Sequence, residues 1–222
     1  MVVLATKCYV SGDARGRALD SLDALLRDAL GDLDVEWTAG VRDDDWVSVT
    51  LSGDDEVVAR NLLREQWGEV PTHLEPGETY VGTLEAWSDD ALSVDVGPRT
   101  VEVAAEDLGL GPGTATQVRD RFGLVQHQRL RVVLSDPPSL AEEEVDRLYD
   151  WTRGTGRLNV NSATRGEVRA TVNRAGHARD VVTVERLGLL EQSVVCTEST
   201  DPPGLLAAVG EYLPAELRCV VP

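Results

Sequence analysis

Lysine is almost missing from this chain of 222 residues: Lys7 stands alone beside 20 arginines and 39 acidic residues, for a formal net charge of −18. That scarcity argues against a hyperthermophilic chain, which would be rich in lysine as well as glutamate. Cysteine is nearly as scarce. Cys8, Cys196 and Cys219 lie far apart, each within an apolar run. An odd, widely spaced set fits neither a disulfide framework nor a zinc knuckle, so buried core thiols are expected. The three histidines, His73, His127 and His177, fall in separate segments without metal-ligand spacing. No apolar run approaches the roughly 18 residues of a membrane span, and no basic leader precedes an apolar stretch. A cytoplasmic protein, away from the membrane, is the expectation.

What the chain has instead is acid. High net charge keeps a protein soluble at the cost of self-repulsion, a balance that salt-loving organisms exploit. At molar ionic strength the Debye length is only about 3 Å, so the repulsion is heavily screened. The expected habitat is therefore haloarchaeal cytoplasm. Asp43-Asp44-Asp45, Asp54-Asp55 and Glu142-Glu143-Glu144 then read first as solvated surface. Hydrophobic residues make up 42% of the chain, enough for packed cores and against disorder.

One segment departs from this background. Residues 151–179 hold six arginines (Arg153, Arg157, Arg165, Arg169, Arg174, Arg179) and a single acid, Glu167, leaving 15 basic and 38 acidic residues elsewhere. Charge asymmetry of this kind marks a contact surface for an anionic partner.

The expected fold class is α+β in three parts. Residues 1–70 read as strand, helix, strand, strand, helix, a ferredoxin-like βαββα unit. Leu19, Leu22, Leu26, Ala29 and Leu33 give a helix over 14–33, and Val58, Leu62 and Leu63 the inward face of a second over 55–67. A linker over 71–77 precedes short β-rich runs at 79–87, 91–96, 100–104 and 124–134, which predict a small OB/S1-like barrel over 77–136. Ser139 and Glu142 form an expected capping box opening a connecting helix over 139–152. The remainder, 157–222, reads βαββαβ, a complete ferredoxin-like unit. Its first helix, over 165–176, opens on a capping box of Thr164 and Glu167. Its second, over 203–213, starts behind Asp201 with Pro202 at the first helical position.

On the 165–176 helix, Val168, Val172 and Ala175 form the apolar side, while Arg165, Arg169 and Asn173 share the opposite face with His177 next along it. Arg157, Asn159 and Asn161 precede the helix, Arg174 and Arg179 lie near its end, and Arg153 lies just upstream. Guanidinium groups pair bidentately with phosphate and stack on bases. Molar salt removes most of the counterion-release gain that usually drives nucleic-acid binding, so directional arginine and asparagine bonds would have to carry it. Trp151 and His177 are candidate stacking partners, with Trp87, Phe122 and His127 as a second set on the barrel. Pairing of these arginines with the chain's own acids is the competing account.

The string from Leu158 to Thr164 matches the entry of a helix-hairpin-helix element, but the glycine hairpin is missing. Gly109 to Gly113 is glycine-rich yet lacks the Lys-Ser/Thr of a phosphate loop, and there is no Gly-x-Ser-x-Gly elbow. No enzyme, metal or cofactor is expected.

Asp146-Arg-Leu-Tyr-Asp-Trp-Thr-Arg153, Val160-Asn-Ser-Ala-Thr-Arg165, Glu185-Arg-Leu-Gly-Leu-Leu-Glu-Gln192 and Thr200-Asp-Pro-Pro-Gly204 resemble an archaeal family, domain-of-unknown-function family 2110. The likeness runs essentially end to end and is closest to haloarchaeal members. It implies habitat and extent, but no activity and no catalytic residue. The order of barrel, short helix and α/β unit is also loosely similar to the alpha subunit of translation initiation factor 2, a likeness of layout that favours RNA. The function expected is non-catalytic binding of RNA or a ribonucleoprotein. A protein–protein adaptor docking its arginines on an acidic partner is the alternative, and a small-ligand sensor the third. The oligomeric state is left open by the sequence.

Overall fold

Alternating β-branched and apolar residues make Val2–Lys7 (β1), Glu36–Val41 (β2) and Trp46–Ser52 (β3) a sheet in the computed structural model, which describes residues 1–222. The sheet order is β1-β3-β2, both neighbours antiparallel, with Val2 opposite Val49 and Ala39 opposite Val49 from the other side. Two helices pack on it. Gly12–Leu30 (α1) buries Ala18, Leu22, Leu26 and Leu30, and Glu56–Trp67 (α2) buries Ala59, Leu63 and Trp67. The expected inward face of α2 is thus corrected by one residue: Val58 and Leu62 are exposed at 48% and 39%. The large indole of Trp67 seals the last turn, and Ala59 and Leu63 share its side at i, i+4 spacing. After α2 the chain returns along the free edge of β1, where Leu4 bridges Glu69 and the Val70 amide donates to the Val3 carbonyl at 2.8 Å.

The central part is a curled five-stranded sheet. Thr79–Trp87 (β4), Ala91–Asp95 (β5), Thr100–Ala104 (β6), Arg129–Val133 (β7) and Ser139–Leu140 (β8) run in the order β6-β5-β4-β7-β8. Leu84, Leu92, Val94, Val103, Leu130 and Val132 fill its concave side. Ala115–Arg121 (α3) closes one end. Thr114 and Gln117 make both bonds of a capping box at its start. Glu142–Arg153 (α4) covers the core with Leu148 and Trp151. The capping box expected at Ser139 is not formed. Ser139 is held in β8 opposite Val133, and Ala141 precedes the helix.

The last part contains Arg157–Val160 (β9), Arg165–Arg174 (α5), Val181–Arg186 (β10), Gln192–Cys196 (β11), Pro202–Gly210 (α6) and Leu217–Val220 (β12). Its sheet order is β10-β11-β9-β12, all neighbours antiparallel. Thr164 caps α5 with both reciprocal bonds to Glu167, and the Asp201 side chain accepts from the Gly204 amide at the start of α6. Cys8 and Cys196 are buried as expected, whereas Cys219 is half-buried. No helix is long and apolar enough to cross a membrane.

The three parts are locked by the β10–β11 connection, Leu187 to Glu191, every residue of which is buried. Leu187 enters the central core, while Leu189 and Leu190 enter the core of the first sheet. The Leu189 amide donates to the Thr6 hydroxyl at 3.0 Å. A loop belonging to the last sheet therefore supplies apolar contacts to both other cores.

Candidate polyanion-binding face

Strand β7 places Arg129 and Arg131 two residues apart, hence on one face, the one turned away from the apolar core at Leu130 and Val132. Helix α4 brings Arg147 beside them, α2 brings Arg64, and the end of β10 brings Arg186. These five arginines line a hollow of about 260 Å³ where the three parts of the chain meet. A second, wider hollow of about 600 Å³ shares Arg147, Arg186 and Leu187 with the first and adds Arg157 and Arg165. A third of about 150 Å³ shares Arg165, Thr183 and Val184 with the second and adds Arg169 and Asn173. Eight arginines drawn from all three parts thus form one continuous band on a chain of net charge −18.

Four of the eight already have carboxylate partners. Arg64 donates to Glu69 at 2.7 Å, Arg131 lies 3.5 Å from Glu144, and Arg147 and Arg157 bond Glu144 and Glu185. Arg129, Arg165, Arg169 and Arg186 have no acid within ion-pair distance. Arg165 donates Nε to the Val184 carbonyl at 2.7 Å, and Arg129 donates to the carbonyls of Leu187 and Trp67 at 2.7 and 3.1 Å. Burial pulls the Arg129 pKa down to about 10. Burial also lowers Arg186, with the neighbouring charge of Arg165 adding to the effect. A guanidinium whose ionised form is disfavoured by desolvation and by a like charge gains from any anion that comes within reach.

Residues named from the sequence divide into three groups. Arg157, Arg165, Arg169 and Asn173 lie on the band. Asn159 and Asn161, expected on the surface, are buried. Asn159 Nδ2 donates to the Gly123 carbonyl at 2.8 Å, and Asn161 bridges the Gln126 carbonyl (3.2 Å) and the Glu216 amide (2.8 Å). They join the central and last parts and face no solvent ligand. The others lie off the band. Arg153 is exposed and 3.9 Å from Asp150. Arg174 is nine residues beyond Arg165, which at about 100° per residue puts it across the helix. Helix α5 ends at Arg174 rather than at 176, and Gly176 turns left-handed at φ 84°. His177 therefore leaves the expected face and bonds Asp180 at 2.6 Å, with Arg179 exposed in the same turn.

The expected stacking aromatics are also corrected. Trp151 and Phe122 are buried. Trp87 is covered by Arg119, whose Cζ lies 3.4 Å from the ring centroid, and His127 stacks on Tyr9 at 3.8 Å. Arg147 and Arg157 lie over Trp151 at 4.9 and 5.3 Å, and Arg129 over Trp67 at 5.5 Å. The indoles brace the arginines from behind. Arg64, Arg129, Arg131, Arg147 and Arg186 were missed because they are scattered along the sequence. The alternation Arg129-Leu-Arg131 is the one local signal that could have shown part of the band.

Beneath the band the parts meet through a buried polar chain. Lys7 Nζ bonds Glu85 at 2.9 Å and Asp95 at 2.7 Å. Burial pulls the ammonium pKa down, but the two carboxylates outweigh it and the net shift is upward. Burial pushes the Glu85 carboxyl up, yet bonds from His127, Thr83 and Lys7 hold it at about 2. Tyr9 donates to Glu191 Oε1 at 2.6 Å and accepts from the Ser162 amide at 2.9 Å. Burial, followed by the charge of Glu191, raises the Tyr9 pKa. Glu191 is fully buried, which lifts its pKa to about 8, and its Oε2 has no partner. Gln128 is also fully buried with both amide atoms unpartnered, for which the structure offers no account. No three His, Cys, Asp or Glu side chains gather as a metal site.

A search of curated proteins gave no match. Family models match nearly the whole chain: the DUF2110 N-terminal domain over residues 1–73, the DUF2110 central domain over 74–152 and the DUF2110 C-terminal domain over 155–221. The arginine band draws on all three of these segments, and the chain belongs to the DUF2110 family.

Proposed function

We propose that the arginine band binds the sugar-phosphate backbone of RNA, in a non-catalytic role in the information processing of a haloarchaeal cytoplasm. The observation that carries this reading is the continuity of eight arginines across three joined hollows, four of them without an acid of their own. Charge-assisted guanidinium–phosphate bonds are directional and roughly twice as strong as neutral ones, which suits binding where salt suppresses counterion release. With the indoles turned inward, the band is built for phosphates more than for bases, so recognition would be of backbone shape.

The architecture supports the same reading. A βαββαβ order with strands β10-β11-β9-β12 fits the plan of a ferredoxin-like unit. The first sheet has the same plan, with residues 68–70 standing beside β1 where a fourth strand would run. The central order β6-β5-β4-β7-β8, with α3 between β6 and β7, fits an OB/S1-like barrel left unpaired between its outer strands.

The test is fluorescence anisotropy with a labelled single-stranded oligoribonucleotide across a KCl series, comparing the wild type with Arg165→Gln/Arg169→Gln and Arg186→Gln. At about 1.5 kcal/mol per charged hydrogen bond, roughly tenfold weaker binding per arginine is expected. Absence of binding by the wild type at every salt concentration would refute the reading. An acidic protein partner is the second reading, favoured by the exposed Val57, Val58 and Leu62 on α2, next to the Arg64 end of the band. Recovery of RNase-resistant protein partners that are lost in the variants would select it.

A further inference from the structure

The hollow where the three parts meet differs from the rest of the band. Its lining holds five arginines and two carboxylates, Glu65 and Glu144, a formal +3. Glu144 is buried and already engaged by Arg147. The Trp67 carbonyl, at the unfavourable C-terminal end of α2, is taken by Arg129. Arg129 uses Nε and Nη1 on carbonyls and leaves Nη2 without a hydrogen-bond partner, and Arg147 Nε is buried and unpartnered. Arg186, from the opposite wall, makes no ion pair. Buried charge is retained at a cost unless it is paired, and a compact anion would supply such a partner. The volume of about 260 Å³ is several times the roughly 30 Å³ that one water occupies, room for one phosphate group with its nearest waters. A planar guanidinium offers paired donors that match two oxygens of such a group.

We infer that this junction hollow is a binding site for a phosphate monoester dianion, the terminal phosphate of an RNA strand lying along the band. A dianion would bring the formal charge of the lining from +3 to +1 and offer three non-bridging oxygens, whereas a phosphodiester, with one charge and two such oxygens, would leave it at +2. The inference deepens the RNA reading and rests on it only in naming the strand end as the source; free phosphate has the same chemistry.

The test has two arms. In the first, inorganic phosphate is titrated into the full-length protein in molar KCl and followed by isothermal calorimetry and by the phosphorus-31 line width. In the second, otherwise identical oligoribonucleotides bearing 5′-phosphate, 3′-phosphate or hydroxyl ends are compared by anisotropy. Arg64→Gln and Arg186→Gln remove donors of the hollow. Arg169→Gln, at the far end of the band, weakens every oligonucleotide alike while preserving their ratio. Circular dichroism melts check that each variant is folded. The expected result is saturable phosphate binding that weakens at least tenfold in Arg64→Gln, with a preference of tenfold or more for one phosphorylated end that the same variant abolishes. Phosphate binding dependent on Arg64 with no end preference would assign the site to a free small phosphate and overturn the strand-end source. No phosphate binding together with equal affinity for all three oligonucleotides would overturn the site and leave the band standing. Loss of all oligonucleotide binding with phosphate binding intact would overturn the RNA reading instead.

Discussion

Replacing Glu191 by glutamine isolates the energetic consequence of burying an acid at the junction of the three parts. The wild-type carboxyl is fully enclosed, and burial lifts its pKa from 4.5 to about 8. Between those two values the folded state holds a proton that the unfolded chain has released, so stability falls as pH rises. The contribution is fully present below about pH 4.5 and lost once the pH passes about 8. At about 1.4 kcal/mol per pH unit the swing is on the order of 5 kcal/mol. Glutamine does not titrate. Its carbonyl can take the place of Oε1 and accept from Tyr9, but its amide nitrogen would occupy the Oε2 position, which has no partner. That costs about 1–3 kcal/mol at every pH. Glu191→Gln is therefore expected to be the less stable protein at pH 5 and the more stable one at pH 9, with the curves crossing between about pH 5 and pH 6.7. Urea unfolding of both proteins at half-unit intervals from pH 5 to pH 9, at fixed salt, gives the difference directly and cancels every other titrating group. Parallel curves separated by a constant offset would refute the assignment of a protonated Glu191 in the folded protein.

Removing Lys7 with Lys7→Met leaves Glu85 and Asp95 facing each other without their cation, which should cost about 3–5 kcal/mol. Because the depressed Glu85 carboxyl contributes stability above its ordinary 4.5 that is lost as pH falls toward about 2, the acid-unfolding midpoint should also move up, as followed by circular dichroism. Leu189→Ala and Leu190→Ala each remove a buried side chain from the first core at about 2–5 kcal/mol. Hydrogen exchange should then rise first in α1 and α2 while β9 and β11 stay protected. A Cβ at Gly123 (φ 61°) would lie 2.7 Å from Val220 Cγ2 and 3.3 Å from Asn159 Nδ2, so Gly123→Ala should loosen the seam between the central and last sheets, read as proteolytic cleavage near Phe122 that the wild type resists.

The elements were more legible than the surface they make. Periodicity placed α1, α2, α5 and α6 to within a few residues, and the Thr164–Glu167 capping box is formed with both its bonds. Local pattern was enough there because helix starts satisfy their amides within three residues. The same pattern misled at Ser139, where pairing with β7 supplied the backbone partners and left nothing to cap. Asn159 and Asn161 were misplaced for a related reason. In a strand with one solvated face, a polar residue between Leu158 and Val160 points to water. In β9 the second face is covered by the central part, so Asn159 spends its amide on the Gly123 carbonyl instead. Three of the eight band arginines, Arg157, Arg165 and Arg169, were visible in the basic island after residue 150. The other five were invisible, since Arg64, Arg129, Arg131, Arg147 and Arg186 stand in segments whose local charge is unremarkable and meet only through the fold.

That assembly has a thermodynamic consequence. The junction hollow takes Arg64 from the first part, Arg129, Arg131 and Arg147 from the central part and Arg186 from the last, so it exists only while all three are docked. Arg129 spans the seam itself, holding the Trp67 carbonyl of one neighbour and the Leu187 carbonyl of the other. Leu187, the residue after Arg186, is in turn the apolar anchor of the connection in the central core. A ligand that binds the docked form alone must stabilise docking by RT ln(1 + [L]/Kd), about 2.7 kcal/mol at a hundred times Kd. Phosphate should therefore raise the midpoint of thermal unfolding and slow hydrogen exchange along the whole connection from Leu187, which lines the hollow, to Glu191. In Arg64→Gln, with the docking surfaces intact, both effects should shrink together, because a single equilibrium governs them.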